Sequence, residues 1–207
     1  MSLAVRDQAD ALQPPRPSRQ TSKLLAQLFG SVDRDRRLTL LDLGRALPET
    51  VDFLSQFRCK VHVVDLYSEL ESGRISCSRT GVTVQRQFQQ LFGFPRGTCL
   101  DICFLWDLPH YLDEKLLRAL GSALWPWLHA ESRAHAFGVH SAATTLRNHE
   151  YGIVDLQTLS IRTRRTAQLA YSPHPQSFMH EWLTCFATRQ GVLLPDGKVE
   201  LLMHSTI

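Results

Sequence analysis

Leu38-Thr-Leu-Leu-Asp-Leu-Gly-Arg-Ala-Leu-Pro48 is the stretch that decides the fold, and Val61-His-Val-Val-Asp65 follows it along the chain. The first stretch predicts an apolar strand, a tight turn at Gly44 and a helix that begins near Pro48, because proline suits the first turn of a helix. The second predicts another apolar strand that ends in a carboxylate, Asp65. This order of strand, glycine turn, helix and strand predicts the front half of a nucleotide-binding βαβ unit.

The length and composition of the chain predict one globular α/β domain. Its 207 residues include 43% hydrophobic and 21% charged residues, an ordinary balance for a single folded core. Residues 1–21 are polar and proline-punctuated and predict a flexible N-terminal arm, whereas residues 22–207 form the domain. No apolar run reaches the roughly 20 residues that cross a bilayer. Because the first residues also carry no secretion signal, we expect a cytoplasmic protein without membrane contact.

The cysteines and the net charge bear on three classes of protein: disulfide-stabilised, metal-binding and nucleic-acid-binding. Five cysteines, an odd number scattered through structured segments, argue against a disulfide framework. Cys99 and Cys103 lack the second close pair that would complete a metal site, so we predict buried thiols and no metal. A formal net charge of +3 is too small to imply nucleic acid, although it does not exclude it. We predict another protein as the partner, and the sequence leaves the oligomeric state open.

Strand and helix patterns alternate through the rest of the chain. Residues 100–106 form a nearly continuous apolar run, which is typical of a central parallel strand. Residues 113–128 carry apolar side chains at helical spacing. We also predict a short strand over 81–85, a strand over 134–140, a helix over 177–186 and a terminal hairpin over 191–204.

The order of these elements resembles the class I S-adenosylmethionine-dependent methyltransferases, from about residue 22 to the end of the chain. Leu41-Asp-Leu-Gly44 is similar to the start of that family's first motif, strand-Asp-x-Gly-x-Gly-x-Gly. Trp106-Asp-Leu-Pro-His-Tyr-Leu-Asp113 resembles the exit of its fourth strand, and Leu124-Trp-Pro126 resembles the end of the following helix. The resemblance implies a Rossmann-like fold, with a mainly parallel seven-stranded sheet and a C-terminal antiparallel hairpin.

The resemblance also implies a cofactor, S-adenosylmethionine, and residues that would bind it. Asp42 and Gly44 would form the turn beside the cofactor, and Asp65 would accept hydrogen bonds from the ribose hydroxyls. Gln85 or Gln87 would bond the edge of the adenine base, where the family often has an acidic residue.

Part of the glycine motif is replaced in this sequence. The family's second and third glycines align with Ala46 and Pro48, which are flanked by Arg45 and Leu47. Proline has no N–H and adds a ring where the loop is normally open. The degenerate motif therefore favours a chain that does not use the cofactor.

Three residues after the fourth predicted strand are the candidates for catalysis. Asp107-Leu-Pro-His-Tyr111 is similar, in altered order, to the motif of an acidic residue or Asn, two prolines and an aromatic residue in amino-methyltransferases. His110 or Tyr111 would act as a base at the mouth of the sheet, and Asp107 would lie near the methyl donor. The alternative interpretation is that Tyr111 packs over the next helix.

Residues 141–175 interrupt the alternation of strands and helices. The segment Ile153-Val-Asp-Leu-Gln-Thr-Leu-Ser-Ile161 alternates in polarity and precedes the basic Arg162-Thr-Arg-Arg165. We predict an insertion that covers the substrate side of the sheet, binds a partner, or forms a solvated hairpin, and the sequence leaves these three open.

Two functions follow from the sequence. The favoured one is a non-catalytic interaction or regulatory module built on a methyltransferase scaffold. The alternative is an active S-adenosylmethionine-dependent methyltransferase with a divergent glycine loop.

Overall fold

The computed structural model describes residues 17–30, 32, 35–78, 81–141, 144, 148–164 and 169–207. Residues 1–16, which make up most of the predicted N-terminal arm, lie outside the described residues. Within the described ranges, no helix combines the length and the apolar character that crossing a bilayer requires.

Nine strands and six α-helices occur in these ranges. The strands are β1 (Ser18–Thr21), β2 (Leu38–Asp42), β3 (Cys59–Val63), β4 (Ile102–Trp106), β5 (Arg133–Val139), β6 (His149–Asp155), β7 (Thr158–Thr163), β8 (Phe186–Leu193) and β9 (Lys198–Ser205). The helices are α1 (Leu25–Gly30), α2 (Pro48–Leu54), α3 (Leu66–Glu71), α4 (Val84–Phe92), α5 (Glu114–Leu124) and α6 (Gln176–Trp182).

Six strands form the central sheet, in the order β3-β2-β4-β5-β9-β8. β2 is parallel to β3 and β4, and β4 is parallel to β5. β9 is antiparallel to both β5 and β8, so β8 runs in the same direction as the parallel strands. The carboxyl ends of β2, β3, β4 and β5 therefore lie at one end of the sheet.

Helices cover both faces of this sheet. Side chains alternate between the two faces along each strand, so a single strand contributes residues to two cores. Leu38 and Leu40 of β2 belong to a core with α1 and α2. Leu41, on the same strand, belongs to the opposite core with α4, α5 and α6. Burial on both faces explains why β2 and β4 read as nearly continuous apolar runs.

A second, antiparallel sheet has the order β1-β7-β6. β6 and β7 form a hairpin within the predicted insertion, and Tyr151, Ile153 and Leu159 of this hairpin are buried in the core with α1 and α2. The predicted N-terminal arm requires a correction at its end, since Ser18–Thr21 is a strand paired with β7. The pairing supplies the hydrogen bonds that a solvated arm would otherwise take from water.

The predicted fold class is confirmed: the central sheet is mainly parallel and ends in an antiparallel C-terminal hairpin. The predicted count of seven strands is wrong, since the central sheet has six strands among the described residues and 81–85 is not a strand. Thr83 caps α4 there by accepting a hydrogen bond from the Arg86 amide. Val84, Phe88 and Phe92 are buried at helical spacing, and this burial outweighs the short alternating pattern.

The predicted helix over 177–186 is also corrected at its C-terminal end. The helix spans Gln176–Trp182, and Phe186 begins β8. The predicted turn of the terminal hairpin is confirmed at Gly197, whose φ of +82° is a conformation that glycine adopts without steric cost.

Candidate functional site

The carboxyl ends of three neighbouring strands bring the predicted site residues to one end of the sheet. Asp42 ends β2 and Gly44 follows it, Asp65 follows β3, and Asp107 follows β4. Ligands of open α/β sheets bind at this end, where loops leave the strands. The topology therefore puts the predicted carboxylates and the glycine turn where a ligand would be expected.

A tryptophan side chain lies against the glycine turn. The indole Nε1 of Trp106 donates a hydrogen bond of 2.7 Å to Asp42 Oδ1, and the Gly44 amide donates one of 2.9 Å to the same oxygen. A Cβ added at Gly44 would lie 2.9 Å from Trp106 Cδ1. The space beside this glycine is therefore filled by the protein's own indole.

Asp42 is fully buried beneath that indole. Burial raises the pKa of its carboxyl to about 6, while the hydrogen bonds from Trp106 and Gly44 lower it. The Gly44 amide, which the glycine motif would offer to a ligand, is instead satisfied by Asp42.

The backbone of Trp106 has a conformation that L-residues rarely adopt. Its φ is +52°, the only positive φ among the described residues other than glycine. This conformation follows an irregularity in the pairing of β4 with β5, between Phe104 and Trp106. The indole stacks on Phe104 at 5.2 Å and on Tyr151 at 5.4 Å between ring centroids. These contacts, and the bond to Asp42, hold the residue in a strained backbone that costs on the order of 1–3 kcal/mol.

The Asp65 carboxylate interacts with Ser68 and with Arg164. It is the N-cap of α3, where its carboxylate accepts hydrogen bonds from the amide and the hydroxyl of Ser68. Nη1 of Arg164 lies 3.5 Å from Asp65 Oδ1, the oxygen that also accepts from the Ser68 amide. The guanidinium carbon of Arg164 lies 3.9 Å from the centre of the Tyr67 ring. Arg164 is 6% exposed, so this cation is nearly buried over the carboxylate.

Polar contacts join the β6–β7 hairpin to α2, and Arg45 of the glycine loop lies 3.6 Å from Glu150 of β6. Nη2 of Arg162 donates to both carboxylate oxygens of Glu49, at 2.9 and 2.8 Å. The Ile153 amide donates to the Thr50 hydroxyl at 3.0 Å. A Cβ added at Gly152 would lie 2.5 Å from the Glu49 carboxylate, so only glycine allows this approach. The hairpin therefore lies over the front of the site and does not extend into solvent.

Asp107 is fully buried and both of its oxygens accept hydrogen bonds. Tyr67 donates to one oxygen at 2.5 Å and Tyr151 donates to the other at 3.1 Å. Burial raises the pKa of the carboxyl to about 6, and the tyrosine hydrogen bonds, Arg164 and Lys198 lower it. Since burial and Asp107 also raise the pKa of both tyrosines, their hydroxyls stay protonated as donors.

His110 and Tyr111 lie in a buried 3₁₀ turn over Leu108–Tyr111. Nδ1 of His110 accepts from the His174 amide at 3.1 Å, so Nε2 carries the proton and donates to the Phe137 carbonyl at 3.1 Å. Burial lowers the pKa of His110 to about 4, which keeps the ring neutral. The Tyr111 hydroxyl is buried and has no hydrogen-bond partner among the described residues, and its ring packs edge-on against Tyr67. The Tyr111 ring is therefore packed in the core, where Tyr67 of α3 is its neighbour.

Gln87 lies in α4 and its side-chain amide holds a neighbouring loop. The oxygen accepts from the Ser76 amide, and the nitrogen donates to the carbonyls of Ser76 and Val82. Gln87 is 3% exposed, so its amide is bonded within the protein and not open to a ligand. Gln85, the other candidate, donates to the Ser122 carbonyl of α5.

The cysteines correct one detail of the sequence analysis. Cys103 is buried as predicted, and Cys185 is also buried, but Cys99 is exposed. Cys99 lies before β4 and not within it, which explains its exposure.

Three residues that complete the site were missed by the sequence analysis: Trp106, Tyr151 and Arg164. Trp106 is predicted only as the end of an apolar strand, and nothing in its sequence neighbourhood indicates a positive φ. Tyr151 and Arg164 belong to the insertion, and the basic run that contains Arg164 was the one available signal. Its burial over Asp65 depends on tertiary structure.

Comparisons with known proteins identify the fold. The chain aligns with the structure of LepI in complex with S-adenosylmethionine at 12% identity and a TM-score of 0.52, covering 90% of this chain and 47% of that chain. It also aligns with the glycopeptide N-methyltransferase MtfA at 12% identity and a TM-score of 0.49, covering 96% of this chain and 99% of that chain. The chain has the class I S-adenosylmethionine-dependent methyltransferase fold.

Other methyltransferase structures align in the same way. An S-adenosylmethionine-dependent methyltransferase from Clostridium acetobutylicum is 13% identical with a TM-score of 0.47, and the alignment covers 88% of this chain and 96% of that chain. No protein-family model matches the chain, and no curated protein is similar to it. At these identities the likeness concerns the fold alone.

The methyltransferase fold implies S-adenosylmethionine, and the side chains at this end of the sheet do not fit it. A ligand beside the main chain of Gly44 would meet the Trp106 indole. Ribose hydroxyls at Asp65 would compete with Arg164 and Ser68 for the carboxylate. The residues that the resemblance assigns to the cofactor are therefore bonded to other parts of the chain.

Proposed function

We propose that this protein is a non-catalytic domain of methyltransferase fold that acts as a protein-interaction or regulatory module. One observation carries the proposal: the Trp106 indole lies against Gly44 and bonds Asp42, where the fold would receive its cofactor. The ion pair between Arg164 and Asp65 supports it, because it neutralises the carboxylate that would bind a ribose. The β6–β7 hairpin adds to this, because its Tyr151 packs on the Trp106 indole and donates a hydrogen bond to Asp107.

The candidate catalytic residues support the same proposal. Both oxygens of Asp107 accept from tyrosine hydroxyls, and both ring nitrogens of His110 are hydrogen-bonded to main-chain groups. A general base needs a lone pair within reach of the substrate proton. In this arrangement the described bonds of Asp107 and His110 leave neither group poised for that task, and Tyr111 is held protonated by burial, which raises its pKa.

Isothermal titration of the full chain with S-adenosylmethionine tests the proposal. We expect no saturable heat up to about 1 mM ligand, a range that detects binding weaker than the usual micromolar affinity. The melting temperature should also stay unchanged at that concentration, because only a ligand that binds the native state raises it.

Asp65→Ala is the matched variant for this titration. The alternative function, an active methyltransferase with a divergent loop, predicts micromolar binding by the wild-type chain and its loss in Asp65→Ala, with an unchanged circular dichroism spectrum. That result would contradict the proposal and favour the alternative function.

A further inference from the structure

Among the described residues, β3 is an edge strand of the central sheet. The Val64 amide donates to the Asp42 carbonyl, and the Arg58 carbonyl accepts from the Leu38 amide, so even-numbered residues direct their main-chain groups toward β2. Because these groups alternate along a strand, the odd-numbered residues of β3 direct their N–H and C=O groups away from the sheet. The predicted seventh strand does not cover them, since 81–85 leads into α4.

The same odd-numbered residues form an apolar surface beside α2. Val61 and Val63 are 36% and 44% exposed, and Val51 of α2 is 57% exposed. All three line a groove of about 270 Å³ between α2 and β3. Single exposed valines are ordinary, but these are contiguous with an open strand edge.

We propose that two copies of this chain associate by pairing β3 of one with β3 of the other, antiparallel and centred on Val61. In this register Val61 lies opposite Val61 of the partner subunit, and Cys59 lies opposite Val63 of the partner subunit. All of these residues have outward-facing main-chain groups, so each pair exchanges two hydrogen bonds. The open edge is therefore complementary to itself, as a twofold interface requires.

The charges of β3 fit the same register. Lys60 and His62 project from the other face of the strand, where the His62 ring lies 4.7 Å from that of Phe94. An exposed lysine on an edge strand usually discourages pairing, because two copies bring like charges together. Pairing centred on Val61 instead puts Lys60 opposite His62 of the partner subunit, so the two lysines do not face one another.

The twofold axis also brings the two α2 helices together. An antiparallel pair within one sheet is related by an axis perpendicular to the sheet, so both copies of α2 lie on the same face. Adjacent strands are about 4.8 Å apart, which puts the exposed Val51 side chains on either side of the paired valines. The association thus covers the groove as well as the strand edge, and it does not depend on whether the chain binds S-adenosylmethionine.

Sedimentation velocity of the full chain tests this inference. Between about 1 and 100 µM we expect a shift from monomer to dimer, the range of a modest interface. Val61→Glu places two carboxylates face to face at the axis, and we expect it to weaken the dimer by about tenfold or more. Val61→Pro removes the outward N–H without removing a bond to β2, and we expect the same loss.

A variant of β8, at the opposite edge of the central sheet, serves as the control. Leu193 of β8 is 58% exposed, and Leu193→Glu should leave the dimer unchanged. Oxidation of Val61→Cys should cross-link the dimer, because residues opposite one another in a hydrogen-bonded pair have Cα atoms about 5.5 Å apart, within disulfide range. A chain that stays monomeric at 100 µM would overturn the inference. So would a dimer that Leu193→Glu disrupts while Val61→Glu and Val61→Pro leave it intact.

Discussion

Replacing Trp106 tests whether its strained backbone is imposed by the packing of the site. The side chain is 1% exposed, stacks on Phe104 and Tyr151 and donates to buried Asp42. Loss of a buried tryptophan side chain costs about 3–5 kcal/mol of unfolding free energy. The variants Trp106→Ala and Trp106→Gly both suffer this loss, so the difference between them isolates the backbone.

The φ of +52° sets the sign of that difference. An alanine held at such a φ is destabilised by about 1–2 kcal/mol, and glycine is not. Relative to alanine, glycine lowers the free energy of unfolding by about 0.5–1 kcal/mol, because its unfolded chain has more conformations. We therefore expect Trp106→Gly to be more stable than Trp106→Ala by about 0.5–1 kcal/mol.

Urea unfolding followed by circular dichroism measures this difference, with Phe104 as the matched control. Phe104 is fully buried on the same strand and has no positive φ, so Phe104→Gly should be less stable than Phe104→Ala by about 0.5–1 kcal/mol. If Trp106 follows the same order as Phe104, the strained conformation is not that of the folded protein, and the account of the filled site fails.

Three further predictions concern the polar groups of the site. Tyr151→Phe should lower the free energy of unfolding by about 1–3 kcal/mol, since it removes a donor from a buried carboxylate. Tyr111→Phe loses a hydroxyl that has no partner among the described residues and should change this free energy by less than about 0.5 kcal/mol; equal effects in urea titrations would refute this. Burial raises the pKa of Asp107 from 3.8 to about 6, so the folded chain binds this proton more tightly than the unfolded chain does. As the pH rises from about 4 to about 6, the free energy of unfolding of the wild type should therefore fall by up to about 3 kcal/mol relative to that of Asp107→Asn; a constant difference between their unfolding curves would contradict it. Arg164→Met should lower the melting temperature at pH 7 because Asp65 loses its cation and the aromatic contact is lost; an unchanged melting curve would show that this cation does not hold the site closed.

The sequence predicts well where local chemistry and burial agree. The glycine stretch predicts β2 and a helix that starts at Pro48, and both are present, because a fully apolar strand and a proline in a first helical turn have few alternative structures. The terminal hairpin follows from its turn at Gly197 in the same way. The short alternation at 81–85 was misleading because Thr83 offers a cap and the apolar residues that follow recur at helical spacing.

The filling of the site depends on contacts between distant parts of the chain. The sequence identifies Asp42, Gly44 and Asp65 as residues at the end of the sheet, and the structure has them there. It does not indicate that Trp106 would adopt a positive φ or that Arg164 would lie over Asp65. Both features arise from packing of the hairpin on the sheet, and no local propensity encodes such packing.

A crystal structure of the full chain grown with millimolar S-adenosylhomocysteine tests the central claim most directly. We predict that the Trp106 indole lies against Gly44 and bonds Asp42, that Arg164 lies on Asp65, and that no ligand density appears between them. Ligand density beside Gly44 and Asp65, with the indole displaced, would contradict the account.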